Sequence, residues 1–170
     1  MQNFSYKLIE DGTYCLMGYQ GDEADVVVPD AIGESGRITV LYDKVFAGHP
    51  EIRSIHLPDT ITDIGEFAFE GCENLHELRL PSQLVNLWGH SFARCGIIEI
   101  TLPEKIKHIP PFAFKDCSRL KKVVCSSGLK KIYPWAFGEC TRLEEVVHGP
   151  ETEIDPRAFD SKEMKNWQKA

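Results

Sequence analysis

The chain has 170 residues and carries 26 acidic against 19 basic side chains for a net charge of -7. It is sized for one domain, and a largely acidic surface repels phosphate backbones, which excludes general nucleic-acid binding. No stretch approaches the roughly 18 consecutive apolar residues of a membrane span, and Met1 to Glu10 lacks the basic and apolar regions of a signal peptide. The expectation is a monomer without membrane insertion, cytoplasmic as given, and displayed or secreted if a leader has been removed.

At the N-terminus, Phe4 to Leu8 and Tyr14 to Tyr19 flank Asp11-Gly12, a strong two-residue hairpin signal. That turn would place Leu8 opposite Cys15, Tyr6 opposite Met17 and Phe4 opposite Tyr19, with all six side chains on one face. Such a hairpin, residues 1–25, is an N-terminal cap. Val26, Val28 and Pro29 begin a first rung, and Gly33-Glu34-Ser35-Gly36 reads as a loop.

From there a period governs the chain. Phe46, Phe69, Phe92, Phe114, Phe137 and Phe159 recur at a near-constant interval, one position shorter from Phe92 to Phe114 and from Phe137 to Phe159. Cys72, Cys95, Cys117 and Cys140 each follow a Phe at the same short offset. A fixed short period marks a solenoid, whose units bury their apolar faces against one another. Phe69, Phe92, Phe114 and Phe137 are accordingly expected to form one continuous buried column. In one unit Leu75, Leu78 and Leu80 point inward from a strand, Pro81 closes it, and Leu84 and Leu87 face inward on the return leg. The same slots hold Ile52, Ile55, Leu57 and Pro58, then Ile97, Ile100, Leu102 and Pro103. They continue with Leu120, Val123 and Cys125, and with Leu143, Val146 and His148. Counting Val26–Val28, six strands stack about 4.8 Å apart. The predicted fold is a β-rich α/β solenoid, a right-handed stack with one parallel sheet and short turns opposite it. Repeats cover 26–160, and Met164 and Trp167 suggest a closing helical turn within a C-terminal cap, 161–170.

The string Leu57-Pro58, Ile61, Ile64, Ala68-Phe69 and Cys72 recurs as Leu102-Pro103, Ile106, Ile109, Ala113-Phe114 and Cys117. It resembles the BspA-like leucine-rich repeat family, over roughly residues 4 to 160. The Asn of ordinary leucine-rich repeats is absent, its positions held by Thr60, Gln83, Lys105 and Gly128. The resemblance implies a non-catalytic interaction protein with no cofactor, of a kind linked to adhesion and to contact with host or microbial proteins. An intracellular scaffold is the alternative deployment.

The four periodic cysteines are expected to be reduced, buried thiols rather than disulfides, because each follows a core Phe in a small apolar slot. Zinc is not expected, since no paired Cys-x-x-Cys or His-x-x-x-His occurs. Cys125 and His148 fall in the same slot of adjacent rungs. They are the one pair that would serve a cysteine-dependent enzyme, against which stands a polar end-of-core role for His148.

Alternation exposes Ser54, His56, Glu77, Arg79, Glu99, Thr101, Lys122, Val124, Glu145 and Val147 on the sheet. Residues 104 to 142 hold 9 basic and 3 acidic side chains, a positive band in an acidic rod. Its cations include Lys105, Lys107, Lys115, Arg119, Lys121, Lys122, Lys130 and Lys131, of which Lys121, Lys122, Lys130 and Lys131 are expected to be exposed. The candidate binding surface is therefore Arg79, Thr101, Lys121, Lys122, Val124, Lys130, Lys131 and Val147, facing a protein or an acidic glycan.

Overall fold

The computed structural model describes residues 2–160, so the closing turn expected at Met164 and Trp167, and with it the cap 161–170, lies outside them. Strand β1 (Asn3–Leu8) pairs antiparallel with β2 (Tyr14–Gln20), forming the expected hairpin. Its register differs from the two-residue turn. Asp11 Oδ1 accepts from the Thr13 N–H at 2.9 Å and from the Thr13 hydroxyl at 2.7 Å, while Gly12, at φ 81°, donates to the Ile9 carbonyl. The carboxylate thus stabilises a longer loop with a left-handed glycine. Tyr6 consequently faces Leu16 and Leu8 faces Tyr14, and a bulge after Ser5 restores Phe4 opposite Tyr19. The shift leaves Leu8 exposed, so the six side chains do not share one buried face.

Strand β3 (Asp25–Val27) begins the stack. The glycine insertion is a tight hairpin rather than a simple loop: β4 (Ala31–Ile32) pairs antiparallel with β5 (Gly36–Leu41), onto which β2 docks in parallel. Each later turn adds a front strand and a return strand. These are β6 (Ser54–His56) and β7 (Asp63–Ile64), β8 (Glu77–Leu78) and β9 (Asn86–Leu87), and β10 (Glu99–Thr101) and β11 (His108–Ile109). The last are β12 (Lys122–Val124) and β13 (Lys131–Ile132), then β14 (Glu145–Val147) and β15 (Glu153–Ile154). The front row holds the six strands expected. The return legs, expected only as inward apolar pairs, form a second parallel row, and no helix occurs among the described residues. Leu57-Pro58 and its equivalents explain the geometry. The Pro58, Pro81 and Pro103 carbonyls accept from the N–H groups of Ile61, Leu84 and Ile106, turning the chain from one row to the other.

Both rows break at one level. The front row divides into β3-β6-β8 and β10-β12-β14, and the return row into a group ending at β9 and a group starting at β11. The front break coincides with the shortened repeat between Phe92 and Phe114. The missing position falls after Cys95, where Gly96 lies so close that a Cβ would collide with the Glu73 carbonyl. The return break falls at Pro110. Its equivalents Gly65, Trp88 and Tyr133 donate an N–H to the preceding rung, and proline has none.

Across this seam the third edge remains continuous. Phe69, Phe92 and Phe114 each donate their N–H to a carbonyl of the next rung at 2.8 Å. The four phenylalanines from Phe69 to Phe137 form the expected buried column, and Phe46 and Phe159 extend it, with successive ring centroids 5.1 to 5.4 Å apart. Tyr19 of the hairpin packs on Phe46 at 5.4 Å, carrying the column into the cap.

Candidate functional site

At the seam the front row opens into a groove of about 400 Å³ lined by Leu78, Arg79, Glu99, Thr101, Lys122 and Val124 among others. Four of the eight candidate residues, Arg79, Thr101, Lys122 and Val124, meet there. Leu78, assigned inward by alternation, is only half-buried. Without a paired neighbour on one side, β8 leaves its side chain at the groove wall. Replacing Gly96 by Ala should push the shortened turn away from Glu73, at a cost of about 1–3 kcal/mol typical of overpacking. A urea midpoint indistinguishable from the parent would show that the turn has room to spare.

The groove has both signs of charge over an apolar floor. Lys122 stands in register between Glu99 and Glu145, and its ammonium meets the Glu145 carboxylate at 2.8 Å. That hydrogen bond and charge raise the Lys122 pKa. Arg79 reaches Asp59 at 3.3 Å. Val147 follows Val124 in register, one rung further on.

The basic band is divided between two sides of the stack. Lys121 and Lys122 lie on the front, whereas Lys130 and Lys131 lie on the return side, across the Cys125–Leu129 corner. Lys131 pairs with Glu153 at 2.6 Å, Lys105 donates to Gln83, and Lys107 donates to the Glu104 carbonyl at 2.8 Å. Lys122 and Lys131 are half-buried, which corrects the expectation that all four lysines are exposed. The cause is the parallel stack itself. It lays a lysine beside the glutamate of the next repeat and covers both side-chain stems.

The thiols show what the regular offset from Phe accomplishes. Cys72, Cys95, Cys117 and Cys140 donate S–H to the carbonyls of Phe46, Phe69, Phe92 and Phe114 at 3.1, 2.9, 3.0 and 3.0 Å. Each thiol thus ties its turn to the rung before, and all six cysteines are buried and outside any disulfide. Burial pushes the Cys72 and Cys117 pKa values up to about 12.

Cys125 and His148 are neighbours in the stack, as read from the sequence, but no hydrogen bond joins their side chains among the described residues. Burial pushes the Cys125 thiol up to about 12, opposite to an activated nucleophile. The His148 ring donates from Nδ1 to the Gly149 carbonyl at 2.8 Å. No group of three or more metal-ligating side chains occurs among the described residues.

One cluster escaped the sequence reading. The return side carries exposed Tyr42, Trp88 and Trp135, and its turns stack Phe67, His90 and Phe112 with centroids 4.5 and 4.7 Å apart. Its signal is an aromatic residue on alternate rungs, at Tyr42, Trp88 and Tyr133, directly after the return-leg Leu or Ile.

Comparison with known proteins agrees with this geometry. The BspA type Leucine rich repeat region profile matches residues 39–165 in six copies. A leucine rich repeat protein of T. pallidum superposes with a TM-score of 0.81 at 29% identity, over 85% of this chain and 68% of that one. A leucine-rich repeat protein from Bacteroides ovatus gives a TM-score of 0.69 at 22% identity, over 99% of this chain and 52% of that one. A leucine rich cell surface protein from Faecalibacterium prausnitzii gives 0.72 at 19% identity, over 99% and 54%. The chain therefore spans about half the length of the last two. No curated protein sequence matches it.

Proposed function

Because this chain belongs to the BspA-type leucine-rich repeat family, we propose that it is a non-catalytic protein-binding module whose partner lies across the front groove. The observation that carries this reading is the seam. It opens an otherwise closed row of short strands into a concavity with an apolar floor of Leu78, Ile100 and Val124 and a rim of Arg79, Glu99 and Lys122. Concave sites with an apolar lining and a few placed polar groups suit a side chain or loop of a protein partner. Two of the cations that an acidic glycan would use, Lys122 and Lys131, are already held by Glu145 and Glu153. An adhesin and an intracellular scaffold would use this face alike.

A displayed random-peptide library selected on the intact protein tests the reading. Binders should lose about tenfold or more in affinity against Thr101→Arg or Val124→Arg, with the melting temperature of both variants nearly that of the parent. Lys121→Glu should slow association with acidic binders and leave the salt-insensitive part intact. Binders indifferent to Thr101→Arg and Val124→Arg would remove the front groove as the contact.

A further inference from the structure

We propose that the return side carries a second binding site, a groove for a proline-rich segment in the polyproline II conformation, centred on Trp88 and Tyr133. It rests on the interaction-module reading but not on the front groove.

The seam creates this groove too. Pro110, which breaks the return row, forms its floor with Pro111. Trp88 and Tyr133 stand on either side, Phe112 and His90 line one wall, and the volume is about 510 Å³. Trp88 is 53% exposed and Trp135, beyond the groove, is 40% exposed.

The repeat's own turn geometry builds one wall of the groove. Phe67, His90, Phe112 and Trp135 all hold φ between 56° and 61°, a left-handed region that costs a bulky L-residue about 1–2 kcal/mol each. The same conformation recurs at Lys44 and, four positions on in the turns, at Arg94, Asp116 and Glu139, so it belongs to the repeat. At the first of these positions it stacks Phe67, His90 and Phe112 face to face, their rings within 15° of parallel, so that the edges of His90 and Phe112 line the groove, with the Lys44 ammonium 5.5 Å over Phe67.

Period and chemistry identify the occupant. Trp88 and Tyr133 lie two rungs apart, and Tyr42 continues the series two rungs before Trp88. Rungs spaced by about 4.8 Å put these rings roughly 10 Å apart, while a polyproline II helix completes a turn in about 9.3 Å. Ridges at that interval receive a proline pair in each valley, as aromatic-lined grooves that bind such helices do. The Trp88 indole N–H and the Tyr133 hydroxyl have no hydrogen-bond partner among the described residues. Both are donors placed to meet the solvated carbonyls of such a ligand. Proline rings also suit a lining that is mostly apolar, whereas a sugar would need more free hydrogen-bonding groups; Asn86 is already bound to Asp63 at 2.8 Å. Glu66 at one end, with Asp43 behind it in the neighbouring turn, favours a basic residue at the corresponding end of the ligand.

The test is a titration of the intact protein with a synthetic proline-rich peptide of about ten residues bearing one terminal Arg, spanning roughly three polyproline turns. Tryptophan fluorescence should change saturably, and Trp88→Ala or Tyr133→Ala should weaken binding about tenfold or more. Glu66→Gln should weaken binding of the Arg-bearing peptide more than of its Arg→Ala version. A peptide with prolines replaced by alanine should fail to bind. Thr101→Arg should leave this binding unchanged, so failure of the front groove and failure of this site are distinguishable. Absence of saturable binding, binding unaffected by Trp88→Ala and Tyr133→Ala, or preference for a β-linked glucose oligosaccharide over the peptide would each overturn the proposal.

Discussion

Phe114→Ala should lower the free energy of unfolding by about 3–5 kcal/mol, the range for removing a fully buried phenylalanine. Phe114 lies between Phe92 at 5.3 Å and Phe137 at 5.4 Å, and none of its side chain reaches solvent. Truncation would leave a cavity in a ladder whose backbone is pinned above and below, so the site cannot collapse to fill it. The same change at exposed Trp88 should stay within about 0.5 kcal/mol. Urea denaturation of both variants measures the contrast. A Phe114→Ala midpoint equal to that of Trp88→Ala would mean that the column does not hold the rungs together.

Alkaline pH should unfold the protein between about pH 9 and pH 12. Cys72, Cys117 and Cys125 are raised from 9.0 to about 12 by burial, and Cys95 is raised well above 9.0 by the same cause. The folded state keeps these protons where the unfolded state releases them. Their contribution is therefore complete below the unfolded value and is lost as pH rises through the folded one. Each thiol contributes a slope of about 1.4 kcal/mol per pH unit in that window, so three of them remove on the order of 8 kcal/mol by about pH 11. That is comparable to the whole stability of a small domain. Circular dichroism and thiolate absorbance followed together should change in one transition, and replacing Cys72, Cys117 and Cys125 with alanine or valine should move it upward. Thiolates that appear near pH 9 with the fold intact would show the ladder to be open to water.

The buried column, the six front strands and the buried thiols were legible in the chain because each is a repeated local instruction. A Phe once in every repeat, a Pro after the strand and a Cys just past the Phe read the same way in most turns. The hairpin was legible as an element but not in register, since Asp11 chose its loop length through a side-chain hydrogen bond to Thr13 that composition does not reveal. The exposure of two lysines of the basic band was misjudged for a related reason. Counting charges along the chain cannot see that parallel stacking sets Lys122 beside Glu145 and Lys131 beside Glu153.

The sequence by itself determined the architecture: a repeat buries its apolar slots only against copies of itself, so the period dictates the stack. Only the tertiary structure decided where the stack opens. A position missing beside Gly96 and an N–H missing at Pro110 are small local departures on separate legs of one repeat. They matter because they fall on the same rung, where the front and return rows separate together. Each row then offers a groove, one lined by Arg79, Thr101, Lys122 and Val124, the other by Trp88 and Tyr133. Hydrogen bonding between rungs is a property of neighbours in space, and no reading of one repeat at a time reports where it stops.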